Sequence, residues 1–221
     1  MTVARVPIPT NVFEHPSFIM SRLHNIIESG FLNILDLLRT PPTDDLSNFL
    51  GYCDAWATML IGHHDAEENS LFPILNTKLD FSAEQEQHKK VFSSIEKFTT
   101  YVRAARADNT KFDASLLTEV LAGAKKVLLT HLHDEIEHLE ASRLRAVFSE
   151  TDIKKMTESM RKYSLAHQDP FVALPFIVGH TPPEYRSWPR LPWMVANVIL
   201  PQIIARKHSG WWKYAPYRFR V

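Results

Sequence analysis

The fourteen prolines constrain this chain most, because each removes a backbone donor and ends or kinks a helix that it enters. None lies between Pro73 and Pro170, whereas eight crowd the stretch from Pro170 to Pro216. The proline-free run can carry long helices, and the crowded one reads as irregular. The division expected is an N-terminal arm over 1–15, a helical body over 16–165 and an extension over 166–221 that packs on the body.

Within the body, apolar residues recur at three- and four-residue spacing, as in Phe18, Leu23, Ile26, Ile27, Phe31, Ile34, Leu35 and Leu38. A second helix is expected from Thr43-Asp44-Asp45, with acids in its first turn, through Leu46, Phe49, Leu50, Ala57, Leu60 and Ile61. Ser82 is expected to cap a third, which carries Val91, Ile95, Phe98 and Val102 on one stripe. A fourth should run from about Asp113 to Leu144, and a shorter fifth from Thr151 to Tyr163. Strand patterns are nearly absent, and short connections force antiparallel neighbours. The expected fold is all-α: an up-down-up-down four-helix bundle with a C-terminal helical and irregular extension.

Lys+Arg and Asp+Glu are both 25, so no global field of either sign draws the chain to nucleic acid or to an acidic membrane face. Cys53 is the only cysteine, which leaves no intrachain disulfide and fits a reducing compartment. Between Tyr52 and Trp56 it reads as a small buried hydrophobe. No apolar run approaches the length that crosses a bilayer, so a soluble, cytoplasmic protein is expected.

The chemistry concentrates in GHHDAEENSLFP, residues 62 to 73. His63 and Glu67 are four apart and share one helix face, on a stripe with Leu60, Leu71 and Leu75. His64 and Glu68 repeat the spacing about 100° around the axis, so they are expected to look outward or to flank. The pattern returns in HLHDEIEHL, where His131 and Glu135 lie among Leu128, Leu132 and Leu139. His24 and His88 sit on the inward stripes of the first and third helices. Each histidine alone would read as a hydrogen-bonded core residue. Two buried carboxylates change this, because neutral imidazoles cannot offset their charge, whereas one or two metal cations can. Imidazole with carboxylate suits iron, manganese or zinc, and carboxylates from two helices suit a pair of metals.

At His24, HHDAEENSLFP, QHKKVF and HLHDEIEHL, over residues 15 to 148, the chain resembles the hemerythrin-like, or HHE cation-binding, family. The resemblance implies a four-helix bundle holding two non-heme iron ions, with manganese or zinc as lesser alternatives. It further implies that Glu67 and Glu135 bridge the irons, with His24 and His63 on one and His88 and His131 on the other. Two departures from the family's oxygen carriers stand out. Phe92 occupies the position four after His88 where a carrier has a second histidine, and Ile136 stands where a carrier has Asp, with Glu135 one residue earlier. Fewer histidines and more open positions than in a carrier are therefore expected.

His64, Glu68, His133, Asp134 and His138 are expected mainly on solvated faces, with Glu68 and Asp134 the candidates to reach or support the metals. The extension is expected to cover the bundle; alternatively it roofs the metals and shapes a pocket with His180 or Tyr185, or makes a homodimer or membrane-surface contact through Trp193, Trp211 and Trp212. Its WKYAPYRF segment resembles the tails of fungal hemerythrin-like proteins. The function expected is an oxidoreductase that activates dioxygen on a small organic molecule. The alternative is an iron or oxygen sensor or store without turnover.

Overall fold

The structure, a computed structural model, describes residues 4–218, so Phe219 of the WKYAPYRF segment and the extreme ends of the arm and extension lie outside it. No strand occurs among the described residues. Helix α1 (His15–Leu37) starts with a proline in its first turn, where the missing amide costs nothing. Helix α2 (Leu46–Ala66) continues without a break through a π-helical turn (Glu67–Leu71) into a last α-turn (Phe72–Leu75). Helix α3 (Ser82–Ala107) begins at Ser82 but is not capped by it: Phe81 holds the cap position, and the Asp80 carboxylate accepts the Ser82 amide at 2.9 Å. Helix α4 (Ala114–His138) is capped by Asp113, which accepts from the amides of Ser115 and Leu116.

The expected run to Leu144 is interrupted after His138, and α5 (Ala141–Val147) resumes it as a separate helix. Ser149 and Asp152 form a reciprocal capping box that starts α6 (Glu150–His167) ahead of the expected Thr151. Helix α7 (Pro170–His180) follows at once.

Helix α1 packs on α2 and α4, and α3 packs on α2 and α4, so the four long helices close a ring. Two apolar cores fill it at different heights. The larger includes Ile27, Phe31, Trp56, Leu60, Val91, Phe98, Leu121 and Leu128; the smaller includes Met20, Leu71, Phe72, Phe81 and Leu139. Along α1 the chain passes from the smaller core to the larger, along α2 the reverse, and so on in alternation. Successive helices therefore run in opposite directions. Trp56, fully buried, anchors the larger core and donates its indole N–H to the Ile27 carbonyl at 2.9 Å. Cys53 is buried beside it, as a small hydrophobe.

The extension lies over α1 and the first half of α2. Phe176 of α7 reaches Gly30, where a Cβ would stand 2.7 Å from its ring. Tyr52 stacks on His180 and Phe176, and the Tyr214 hydroxyl donates to Asp45 at 2.6 Å. The segment Val195–Ile204 is π-helical and contains Pro201, so the expected interruption at that proline does not occur. The wider winding keeps the proline ring clear of the carbonyl four residues back. A last turn, α8 (Ser209–Trp212), packs on α2.

Candidate metal centre

All four long helices send polar side chains into the height between the two apolar cores. His24 of α1, His63, His64 and Glu67 of α2, His88 of α3, and His131 and Glu135 of α4 are all buried there. Glu67 is the hub. Its Oε1 lies 3.0 Å from His63 Nε2, and its Oε2 lies 3.4 Å from His88 Nε2. Glu135 Oε2 lies 3.3 Å from His24 Nε2, and His131 Nε2 lies 3.0 Å from His64 Nε2. Two sets of donor atoms result, each able to converge on one ion: His24, His63 and Glu67, and His64, Glu67, His88 and His131. Only Glu67 belongs to both.

The six residues expected from the sequence are thus brought together. His64 was expected to look outward or flank, yet it is wholly buried, with its ring 4.3 Å from that of His88. A core-facing stripe is at least about 100° wide, so neighbours on α2 can both reach inside, splayed toward different partners. His63 turns toward His24, and His64 turns toward His88 and His131. The signal was present in the HH doublet of α2. Phe92 lies edge-on to the rings of both His64 and His88, so the imidazole absent from α3 is matched by one from α2. Five buried imidazoles therefore line the site, where four were expected.

A second layer fixes the rings. His24 donates Nδ1–H to the Leu132 carbonyl at 2.6 Å, which directs its Nε2 lone pair inward. His88 donates Nδ1–H to Glu68 at 2.8 Å, and Gln85 donates to the other Glu68 oxygen at 2.8 Å. Gln87 accepts from His131 Nδ1–H at 3.2 Å while its amide nitrogen donates to Asp134 at 3.2 Å. Glu68 and Asp134 therefore stand behind His88 and His131. Such outer partners set the tautomer and raise the basicity of the ring.

The remaining candidates lie elsewhere. His133 pairs with Glu28 on the surface, and His138 pairs with the buried Glu84 one turn beyond the centre. His180 accepts from the Tyr52 hydroxyl at 2.7 Å, about three helical turns along α2 from His63. Tyr185 covers the Arg22 guanidinium at 3.7 Å.

The electrostatics call for a cation. Burial pushes His63 down to about 4 and His131 to about 3, and it holds His64 well below the ordinary value, so these imidazoles are neutral. Burial and the neighbouring Glu135 push Glu67 well up. Burial would also raise Glu135, but the His24 imidazole facing it at 3.3 Å holds it down. Two carboxylates thus share a site in which one alone keeps its charge. Both oxygens of Glu67 and of Glu135, and the Nε2 atoms of His24, His63 and His88, have no hydrogen-bond partner. Buried polar atoms in such number are expected to be satisfied. A cation would engage them together, so these residues fit a metal of the imidazole-and-carboxylate class.

Comparison with known proteins points to cation binding. A family model described as the hemerythrin HHE cation binding domain matches residues 15–141. The chain is also 26% identical over 227 residues to dimeric xanthone biosynthesis cluster protein R11 of Cryptosporiopsis sp. (strain 8999), covering 91% of this chain and 78% of that one. No solved structure matches the chain.

Proposed function

Because the chain belongs to the hemerythrin HHE cation-binding family, we propose that it holds two iron ions between its apolar cores and uses them to activate dioxygen on a small organic substrate. The observation that carries the reading is Glu67, a buried carboxylate common to two sets of ligand atoms. It would bridge the ions, with His24 and His63 on one and His64, His88 and His131 on the other. Glu135 supplies the second carboxylate beside His24. Non-heme iron, when bound, provides the electrons and open positions that dioxygen chemistry needs.

The chain's own residues do the rest. Leu132, Glu68 and Gln87 hold imidazole tautomers, the two apolar cores exclude water along the bundle axis, and Glu67 releases its proton as a cation arrives. The biosynthetic setting named for the fungal relative makes polycyclic phenols the first substrates to try. A second reading, binding of iron or dioxygen without turnover, is favoured by His180 and Tyr185: neither residue expected to shape a substrate pocket stands in the ligand cluster.

The test starts with protein made in iron-replete cells. Elemental analysis should return close to two irons per chain, with near-ultraviolet charge-transfer absorption, and Glu67→Gln should lose at least half of the iron. Only trace metal in the parent protein would overturn the reading. Dioxygen uptake stimulated by a polycyclic phenol would support turnover, and a loaded centre with no stimulated uptake would favour the second reading.

A further inference from the structure

The balance of 25 acidic and 25 basic residues hides a strong segregation. Glu184 is the last acid. Seven basic residues follow it, from Arg186 to Arg220, so residues 1–184 hold all 25 acids against 18 bases. Within this cationic stretch, the π-helical segment Val195–Ile204 and its flanks turn the wrong residues outward. Trp193 is 73% exposed, Met194 61%, Val198 41% and Ile203 57%, while Leu200 and Ala205 face the protein. A surface helix ordinarily presents polar residues on that side.

The outward residues form one stripe because of the winding. Positions 193, 194, 197, 198, 202, 203, 206 and 207 are all exposed, a spacing close to the wide turn of a π-helix. Along the stripe, Trp193, Met194, Val198 and Ile203 supply apolar surface, and Asn197 and Gln202 are neutral. Exposed Arg190 precedes the stripe, and Arg206 and Lys207 close it. Arg190 and Arg206 make no ion pair among the described residues, whereas Lys207 has Asp169 at 3.6 Å. Trp211 and Trp212, by contrast, are packed against α2 and belong to the covering of the bundle.

We propose that this stripe docks on an anionic lipid surface, with Trp193, Met194, Val198 and Ile203 entering the headgroup boundary and Arg190 and Arg206 pairing with lipid phosphates or carboxylates. An apolar face bracketed by bases and free of acids matches what such a surface offers. The tryptophan ring and the long basic side chains suit the interface, where an apolar body and a polar end are both accommodated. The acid-rich remainder is repelled by the same surface, so the molecule has one preferred orientation. A second copy suits the stripe less well, since a two-fold interface would set this cationic segment against itself.

The test uses the full, metal-loaded chain in co-sedimentation with phosphatidylcholine vesicles, with and without phosphatidylserine at about a third of the lipid. Binding should require phosphatidylserine and weaken in high salt. Trp193→Ser with Ile203→Ser should reduce binding at least tenfold with unchanged thermal stability, since both side chains are already in water. Arg190→Gln and Arg206→Gln should each cost about fivefold. Parent protein that fails to bind, or a serine double variant that binds equally well, would overturn the proposal. So would a dimer in solution that the serine double variant dissociates, because the stripe would then belong to a second copy.

Discussion

At the scale of single residues, the centre depends as much on what stands behind the ligand atoms as on the atoms themselves. Glu68 was recognisable in the sequence as a spare acid one position past Glu67 that could reach or support the metals, without a partner to act through. The structure gives it a defined task, because its carboxylate accepts the Nδ1–H of His88 and is itself fixed by Gln85. Glu68→Gln should leave the fold intact and weaken cation binding by about 10- to 100-fold, the effect usual for such an outer partner. Titration with ferrous or cobaltous ion checks this, and an unchanged affinity would show that the Glu68 contact does not matter to the ligand. The six residues on the inward stripes were legible because helical spacing ties side-chain direction to position. His64 was not, since periodicity ranks faces of a helix but does not say how wide a face the neighbouring helices enclose.

At the scale of elements, the long helices were readable from apolar spacing, and their ends were less so. The π-turn at Glu67–Leu71 leaves no trace in a pattern built on 3.6 residues per turn. Nor does Pro201 announce that its helix winds wide enough to keep it. The contact between α2 and the last helical turn was equally hidden, because it depends on an absent side chain: a Cβ on Gly51 would lie 2.2 Å from Trp211 Nε1. Gly51→Ala would gain up to about 1 kcal/mol of helix propensity. Overpacking against a rigid indole costs about 1–3 kcal/mol, so the net effect should be destabilising. The expected result is a lower melting temperature and faster proteolysis near the C-terminus. Metal content should hold, because twelve residues of helix separate Gly51 from His63, about 18 Å. A variant as stable and as protease-resistant as the parent would show that Trp211 can move aside freely.

At the scale of the whole molecule, burial of uncharged histidines couples the fold to pH. His63 and His180 are held down at about 4, and His131 at about 3, by burial, against about 6.5 for an exposed imidazole. Their folded values lie below the unfolded ones, so on acidification the unfolded chain takes up protons first. The stability they support is present above about pH 6.5 and is lost as the pH falls toward 4. Metal-free protein should therefore show a melting temperature that drops steeply across that window, and His180→Phe should flatten part of the slope. A melting temperature constant from pH 7 to 4.5 would contradict this.

The position of the polar layer between two apolar cores also governs time. An ion there has hydrocarbon above and below it, so it cannot leave along the bundle axis. Sideways, the partners of the imidazoles reach water at Glu68, whose side chain is 28% exposed. Exchange with outside metal on that side needs the Glu68 contacts to His88 and Gln85 of α3 to open. The residence time of the metal is then set by how often the bundle breathes, more than by the strength of any one bond.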